Sequence, residues 1–161
     1  MRVTLIRHAE AGDDAPKDES RALTVKGRAD ARRLGRALDG RGVRFSLVVA
    51  SPLVRAVQTA EIVAAAVNYR GRVMASDVLL PEGAVSRVVA FLKTAAGEKG
   101  VALVAHEPIL SALAAALTER ARYPTLRKAE AIRIRLPDGA PGPGPLRWRV
   151  DGGTGRRARL R

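Results

Sequence analysis

Five apolar residues in a row, Val101-Ala102-Leu103-Val104-Ala105, constrain this chain more than any other stretch. A strand with one wet face alternates apolar and polar side chains. An unbroken apolar run must be covered on both faces, which is the condition of an inner strand in a parallel sheet. Val3-Thr4-Leu5-Ile6 and Leu47-Val48-Val49-Ala50 read the same way, and a short strand is expected around Val73. Between these runs lie segments of helical period. Thr24 is a good N-cap for a helix to about Leu38, with Ala31, Leu34 and Leu38 on one face and Gly40 after its end. Ser51-Pro52 reads as an N-cap followed by proline at the first helical position, opening a helix to about Val67. Ala84–Ala96 and the proline-initiated Pro108–Leu117 are two more.

Strands alternating with helices imply right-handed βαβ units, a largely parallel sheet and helices on both of its faces. Two late runs, Ala131–Leu136 and Leu146–Val150, alternate in strand fashion around PDGAPGPGP and predict an antiparallel hairpin with a mobile tip. The expected fold is therefore α/β: a three-layer α/β/α sandwich, mostly parallel, with an antiparallel C-terminal hairpin. One domain over residues 1–151 is expected, followed by a basic, flexible tail over 152–161.

In such sheets ligands bind beyond the carboxyl ends of the strands. The chain has two histidines, and both lie there: His8 just past the first strand, His106 just past VALVA. Ser51-Pro52 occupies the same point on a third strand, with Arg55 one turn into the helix. Arg7 and, from the polar loop Glu10–Ala22, Arg21 complete the set. Guanidinium forks suit phosphoryl oxygens, and a helix N-terminus adds partial positive charge, so this edge is an anion pocket suited to phosphate. A histidine among arginines is disfavoured as the imidazolium. It stays neutral near pH 7 with a ring nitrogen free to attack phosphorus. The expected cycle has His8 take the phosphoryl group, with water then hydrolysing phospho-His8, while Arg7, Arg55 and His106 hold the equatorial oxygens.

Other chemistries are set aside by the residues present. With no cysteine there is neither disulfide, thiolate metal site nor cysteine nucleophile. The acidic residues show no ligand spacing, so neither a metal nor another cofactor is expected. The P-loop pattern is absent, and no apolar stretch reaches membrane-spanning length. Residues 1–6 are too short an apolar run for a signal peptide, and the cytoplasm is the expected compartment. The net charge of +13 is spread over the chain and reads as an arginine-rich solvated surface. A polyanionic partner is the sharper alternative. Nucleic acid is the weakest candidate, because Phe45, Tyr69, Phe91, Tyr123 and Trp148 stand too far apart for a stacking platform.

The same segments resemble the histidine phosphatase superfamily, also called the phosphoglycerate mutase-like family. LIRHAEA is similar to its Arg-His-Gly nucleophile motif, ALTVKG to its Leu-Thr-x-x-Gly helix start, and VAHEP to its second-histidine motif. SPLVRAVQTAEI matches its Ser-Pro-x-x-Arg-Ala-x-Gln-Thr motif almost letter for letter, and the likeness extends from Met1 to about Leu117. The short length resembles the SixA-like branch, the protein phosphohistidine phosphatases, and ESRALTVKG is like that branch's arginine ahead of Leu-Thr.

The resemblance implies a phosphoglycerate mutase-like fold and a phosphatase with His8 as nucleophile. Arg7, Arg55 and His106 would form the phosphate pocket and Arg21 would contact substrate. A phosphohistidine protein is the implied partner, and phosphate or sulfate is expected to bind. A small phosphomonoester is the alternative substrate, and a non-catalytic phosphate- or polyanion-binding domain the alternative class. Ala9 departs from the family's glycine, and Glu107 follows the second histidine where the family varies. The general acid is left open among Glu10, Asp13, Asp14, Asp18 and Glu82, or none, because a phosphoramidate's imidazole leaving group can take its proton from solvent.

Overall fold

A computed structural model describes residues 1–138 and 142–157. Six strands, β1 (Arg2–Arg7), β2 (Leu47–Ala50), β3 (Val73–Ala75), β4 (Gly100–Ala105), β5 (Glu130–Arg135) and β6 (Leu146–Asp151), form one sheet in the order β3-β2-β4-β1-β5-β6. The first four are parallel, whereas β5 runs antiparallel to β1 and β6 antiparallel to β5. The apolar run that opened the argument is β4, between β2 and β1 and buried throughout. The expected fold class is thus observed. Helices α1 (Val25–Asp39), α2 (Val54–Ala66), α3 (Val85–Thr94) and α4 (Ile109–Leu117) connect the strands.

Alternation along each strand sends side chains to two cores. Val3, Leu5, Val49, Leu103, Ile132 and Ile134 pack with Val88, Leu92, Leu110 and Leu113 of α3 and α4. Ile6, Val48, Ala102, Val104 and Val150 pack with Leu34 and Leu38 of α1 and with Ala60 and Val63 of α2. With few large aromatics, the second core is closed by bringing helices near one another. A Cβ on Gly35 of α1 would lie 2.5 Å from the Cβ of Ala66, so only glycine admits that approach.

Two expectations about helix starts are corrected. The second helix begins at Val54, not at Pro52, and Ser51 is not its N-cap. The Ser51 N–H donates to Val104 O and so still belongs to the sheet. Pro52 and Leu53 make the turn before helical bonding begins. The fourth helix likewise begins at Ile109, with Pro108 before it. Thr24 does cap α1, its Oγ1 accepting from Gly27 N at 2.9 Å.

Part of the expected hairpin tip, residues 139–141, lies outside the described residues, as do 158–161 of the expected tail. Within 152–157 the Gly152 N–H donates to Ala129 O, and Arg33 donates to the carbonyls of Gly152 and Gly153.

Candidate active site

Parallel register sets the site. β1 pairs with β4 so that Arg7 lies opposite Ala105, and the residues that follow, His8 and His106, leave the sheet side by side. The His8 N–H donates to Ala105 O at 3.0 Å, which extends the pairing by one bond. Their ring centroids are 4.9 Å apart with planes tilted by 51°. Arg55 comes from the first turn of α2, beyond the carboxyl end of β2, and is buried.

His8 is 8% exposed and its Nδ1 lies 2.7 Å from Ala9 O. A carbonyl only accepts, so Nδ1 carries the proton and Nε2 keeps its lone pair in the neutral ring. Burial pushes the His8 pKa down to about 4, and the charges of Arg55, Arg7 and Lys128 push the same way against the Ala9 hydrogen bond. Desolvation is the largest cause, so the neighbouring arginines reinforce a neutrality that burial already imposes. His106 is 3% exposed and is lowered to about 3, again chiefly by burial, then by His8 and Arg55. Both of its ring nitrogens are buried with no hydrogen-bond partner among the described residues. A buried polar side chain normally has a partner, so an orphaned imidazole beside two guanidiniums fits a site completed by an anion.

Both guanidiniums already have partners within the protein. Arg7 donates from Nη1 to Leu126 O at 2.6 Å, while its Nε is buried without a partner among the described residues. Arg55 donates from Nη1 to Asp18 O and from Nη2 to the Asp18 carboxylate, at 2.7 and 2.9 Å. Arg21 is one step farther out. Its Nη1 reaches the other Asp18 oxygen at 3.0 Å, its Nη2 reaches Asp13, and its Nε reaches Gly12 O. Four predicted residues, Arg7, His8, Arg55 and His106, therefore converge, and Arg21 joins them through Asp18.

Of the five candidate acids, Asp18 alone forms an ion pair with a guanidinium of this inner group. Hydrogen bonds from Arg21 and Arg55 hold its carboxyl below the ordinary range, so it is ionised at neutral pH. Asp13 pairs with Arg21, Glu10 accepts from the Thr24 hydroxyl, and Asp14 and Glu82 are exposed. Among the described residues, no three His, Asp or Glu side chains converge as a metal site requires.

Several supporting residues lie outside the set that the sequence singles out. Thr59 Oγ1 accepts from Ala9 N at 3.0 Å and donates to Arg55 O, tying the turn after His8 to the helix that carries Arg55. Gln58 Oε1 accepts from Leu23 N at 2.8 Å. Both belong to the Gln-Thr of the α2 motif, so the motif itself could have flagged them. Glu107 stands where the family pattern varies. Its Oε1 accepts from Leu126 N and its Oε2 from the Ser111 hydroxyl, so it holds the loop whose Leu126 carbonyl holds Arg7. Lys128, which bears on His8 electrostatically, stands in a segment of no recognisable pattern.

Comparison with known proteins gives these motifs a context. Residues 3–77 match the Histidine phosphatase superfamily (branch 1). The chain is 30% identical to the phosphohistidine phosphatase SixA of Escherichia coli (strain K12), over 93% of each chain. It is 33% identical to an uncharacterized protein of Picosynechococcus sp., covering 84% of this chain and 85% of the relative. Among solved structures, the protein histidine phosphatase SixA complexed with tungstate superposes with a TM-score of 0.89 at 29% identity, over 96% of this chain and 99% of that one.

Proposed function

This chain belongs to the histidine phosphatase superfamily, and we propose that it is a phosphohistidine phosphatase acting on proteins in the cytoplasm through a phosphoryl intermediate on His8. The observation that carries the reading is the pair of buried, neutral imidazoles 4.9 Å apart, flanked by Arg7 and Arg55. The likeness to a SixA structure bound to tungstate, a tetrahedral oxyanion, supports a phosphoryl group there.

In the proposed reaction the Nε2 lone pair of His8 attacks phosphorus in line with the substrate's P–N bond. That bond breaks as the new Nε2–P bond forms, and the departing imidazole takes a proton from solvent or a nearby acid. The Ala9 carbonyl holds the Nδ1 proton in place and stabilises the positive charge that develops on the ring. Arg7, Arg55 and His106 hold the equatorial oxygens, and Arg21 meets the outer part of the substrate. Water then attacks phospho-His8, the Nε2–P bond breaks, and phosphate leaves. Cationic side chains supply the charge stabilisation that a metal would otherwise provide.

The test incubates wild type and His8→Ala with a phosphohistidine protein and with p-nitrophenyl phosphate, each with and without EDTA. The expected result is His8-dependent phosphate release, faster from phosphohistidine, and acid-labile label on wild-type protein alone. No His8-dependent release from either substrate overturns the enzyme reading. Loss of activity with EDTA overturns the metal-free mechanism, and exclusive turnover of the phosphomonoester overturns the substrate.

A further inference from the structure

The opposite end of the sheet holds a second concentration of positive charge. Arg2 begins β1, six residues before His8, so the two ends lie about 20 Å apart at strand rise. A cleft of about 380 Å³ opens there, lined by Arg2, Arg41, Arg133, Arg135, Arg147 and Trp148 and, among the described residues, by no carboxylate. The topology explains the convergence. Arg2 pairs across the sheet with Arg135, and Arg133 pairs with Trp148. The ladder between β5 and β6 slips at Arg133/Ile134, leaving Arg147 unopposed, so that it and its neighbour Trp148 both reach the cleft. Arg41 follows the end of α1 and spends one donor on Ala37 O.

Arg133 distinguishes this cleft from a scatter of surface cations. It is 7% exposed, and its Nε is buried with no hydrogen-bond partner among the described residues. Its guanidinium carbon lies 5.8 Å from the centre of the Trp148 ring. Thr4, its cross-strand neighbour, also buries its hydroxyl without a partner among the described residues. Burial, helped by the charge of Arg2, brings Arg133 down to about 10, still a cation at neutral pH. An enclosed cation with no counter-ion is costly, and a bound anion would relieve it. Asp138 pairs with the N-terminal amine at 2.7 Å and feels Arg135 and Arg2 only more weakly, while Asp39 pairs with Arg44 at 2.9 Å, so neither carboxylate pairs with Arg133. No hydrogen bond or ion pair occupies the side chains of Arg2, Arg135 or Arg147 among the described residues, and residues 139–141 and 158–161 include no acidic side chain.

We propose that this cleft is a binding site for a condensed oligophosphate, either free or carried by a nucleotide, separate from the site at His8. Five guanidiniums exceed what one phosphate can pair in bidentate fashion, whereas a chain of three phosphoryl groups presents enough oxygens and charge. The volume falls in the range of a small-ligand pocket, and its single aromatic residue does not make a stacking track for a nucleic acid strand.

Trp148 is the protein's one tryptophan, so its fluorescence reports on the cleft directly. The full chain carrying His8→Ala is titrated at physiological salt with tripolyphosphate, with ATP and with inorganic phosphate. Saturable change in Trp148 emission is expected with tripolyphosphate, at least tenfold tighter than with inorganic phosphate. ATP binding as tightly as tripolyphosphate assigns a nucleotide-borne chain, and weaker ATP binding a free one. Arg135→Gln with Arg147→Gln, both exposed and remote from the core, should weaken binding at least tenfold. The same pair in the wild-type background should leave phosphatase activity unchanged. Arg133→Gln should abolish the signal, with its thermal melt recorded alongside. No emission change up to millimolar tripolyphosphate overturns the proposal. So does undiminished affinity in the folded double variant, or tighter binding by a single-stranded oligonucleotide at this cleft.

Discussion

At the scale of single residues, the protein keeps two imidazoles where imidazolium is disfavoured. His8 is lowered to about 4 and His106 to about 3, in both cases mainly by burial. The unfolded chain binds protons on these rings below about pH 6.5, and the folded chain does so only near the lowered values. Stability contributed by the neutral rings is therefore present above pH 6.5 and lost progressively as pH falls towards 4 and 3. At pH 5 the loss is about 2 kcal/mol for each ring. Denaturant unfolding at pH 7.5 and pH 5 should show His8→Ala losing about 2 kcal/mol less than wild type over that interval, a difference read from stability and not from activity. Because the chain has two histidines, ring proton resonances can be followed without ambiguity. Neither should inflect between pH 8 and pH 5, and an inflection near 6.5 would contradict the burial argument. The neutrality of His8 was legible in the sequence, but its main cause was not: adjacent arginines are visible in a string, whereas burial depends on the packing of β1 against β4.

Among the elements, the loop from Glu10 to Ala22 and the start of α1 depend on one another. A Cβ on Gly27 would lie 2.0 Å from Glu10 O, so the glycine of Leu-Thr-x-x-Gly is required by the close approach of helix and loop. Gly27→Ala should force them apart, lowering stability by about 2 kcal/mol or more and lowering activity with it, as overpacking against backbone does. A thermal melt unchanged within a degree would show that the loop can yield. In the same loop, Asp18 occupies donors of Arg55 that the proposed phosphoryl group would use. Asp18→Asn removes the negative charge but not the backbone carbonyl that Nη1 meets, so it should weaken that competition and tighten binding of inorganic phosphate several-fold by calorimetry, and unchanged or weaker binding would count against it. The alternation of strand and helix was readable because the period changes from continuous apolar runs to helical spacing. The start of α2 differs from the sequence pattern for a local reason. Ser51-Pro52 has the composition of a cap, but Ser51 is still bonded to Val104 in the sheet, a long-range contact that the local string does not encode. The Glu107–Leu126–Arg7 support was invisible for the same reason, since it joins the start of α4 to a loop beyond its end.

Taken whole, the molecule carries +13, and that charge bears on which substrate it meets. Composition alone could not separate a solvated arginine-rich surface from one that attracts acidic partners. The structure narrows the question by giving part of the charge a place at each end of the sheet, around His8 and around Arg133. A long-range field speeds encounter with a large acidic partner, because many charges act together before contact, and salt screens it over about 8 Å at physiological strength. A small phosphomonoester presents only its own phosphate and feels mainly the pocket. If the substrate is an acidic phosphohistidine domain, kcat/KM for that protein should fall at least tenfold between 50 and 500 mM salt. For p-nitrophenyl phosphate the fall should stay within about threefold, as for a ligand lacking an extended charged surface. The difference should reside in kcat/KM and not in kcat, since screening alters approach more than chemistry. Parallel salt profiles for the two substrates would mean that the surface charge does not steer a protein partner, leaving the pocket at His8 to act on phosphoryl groups whatever carries them.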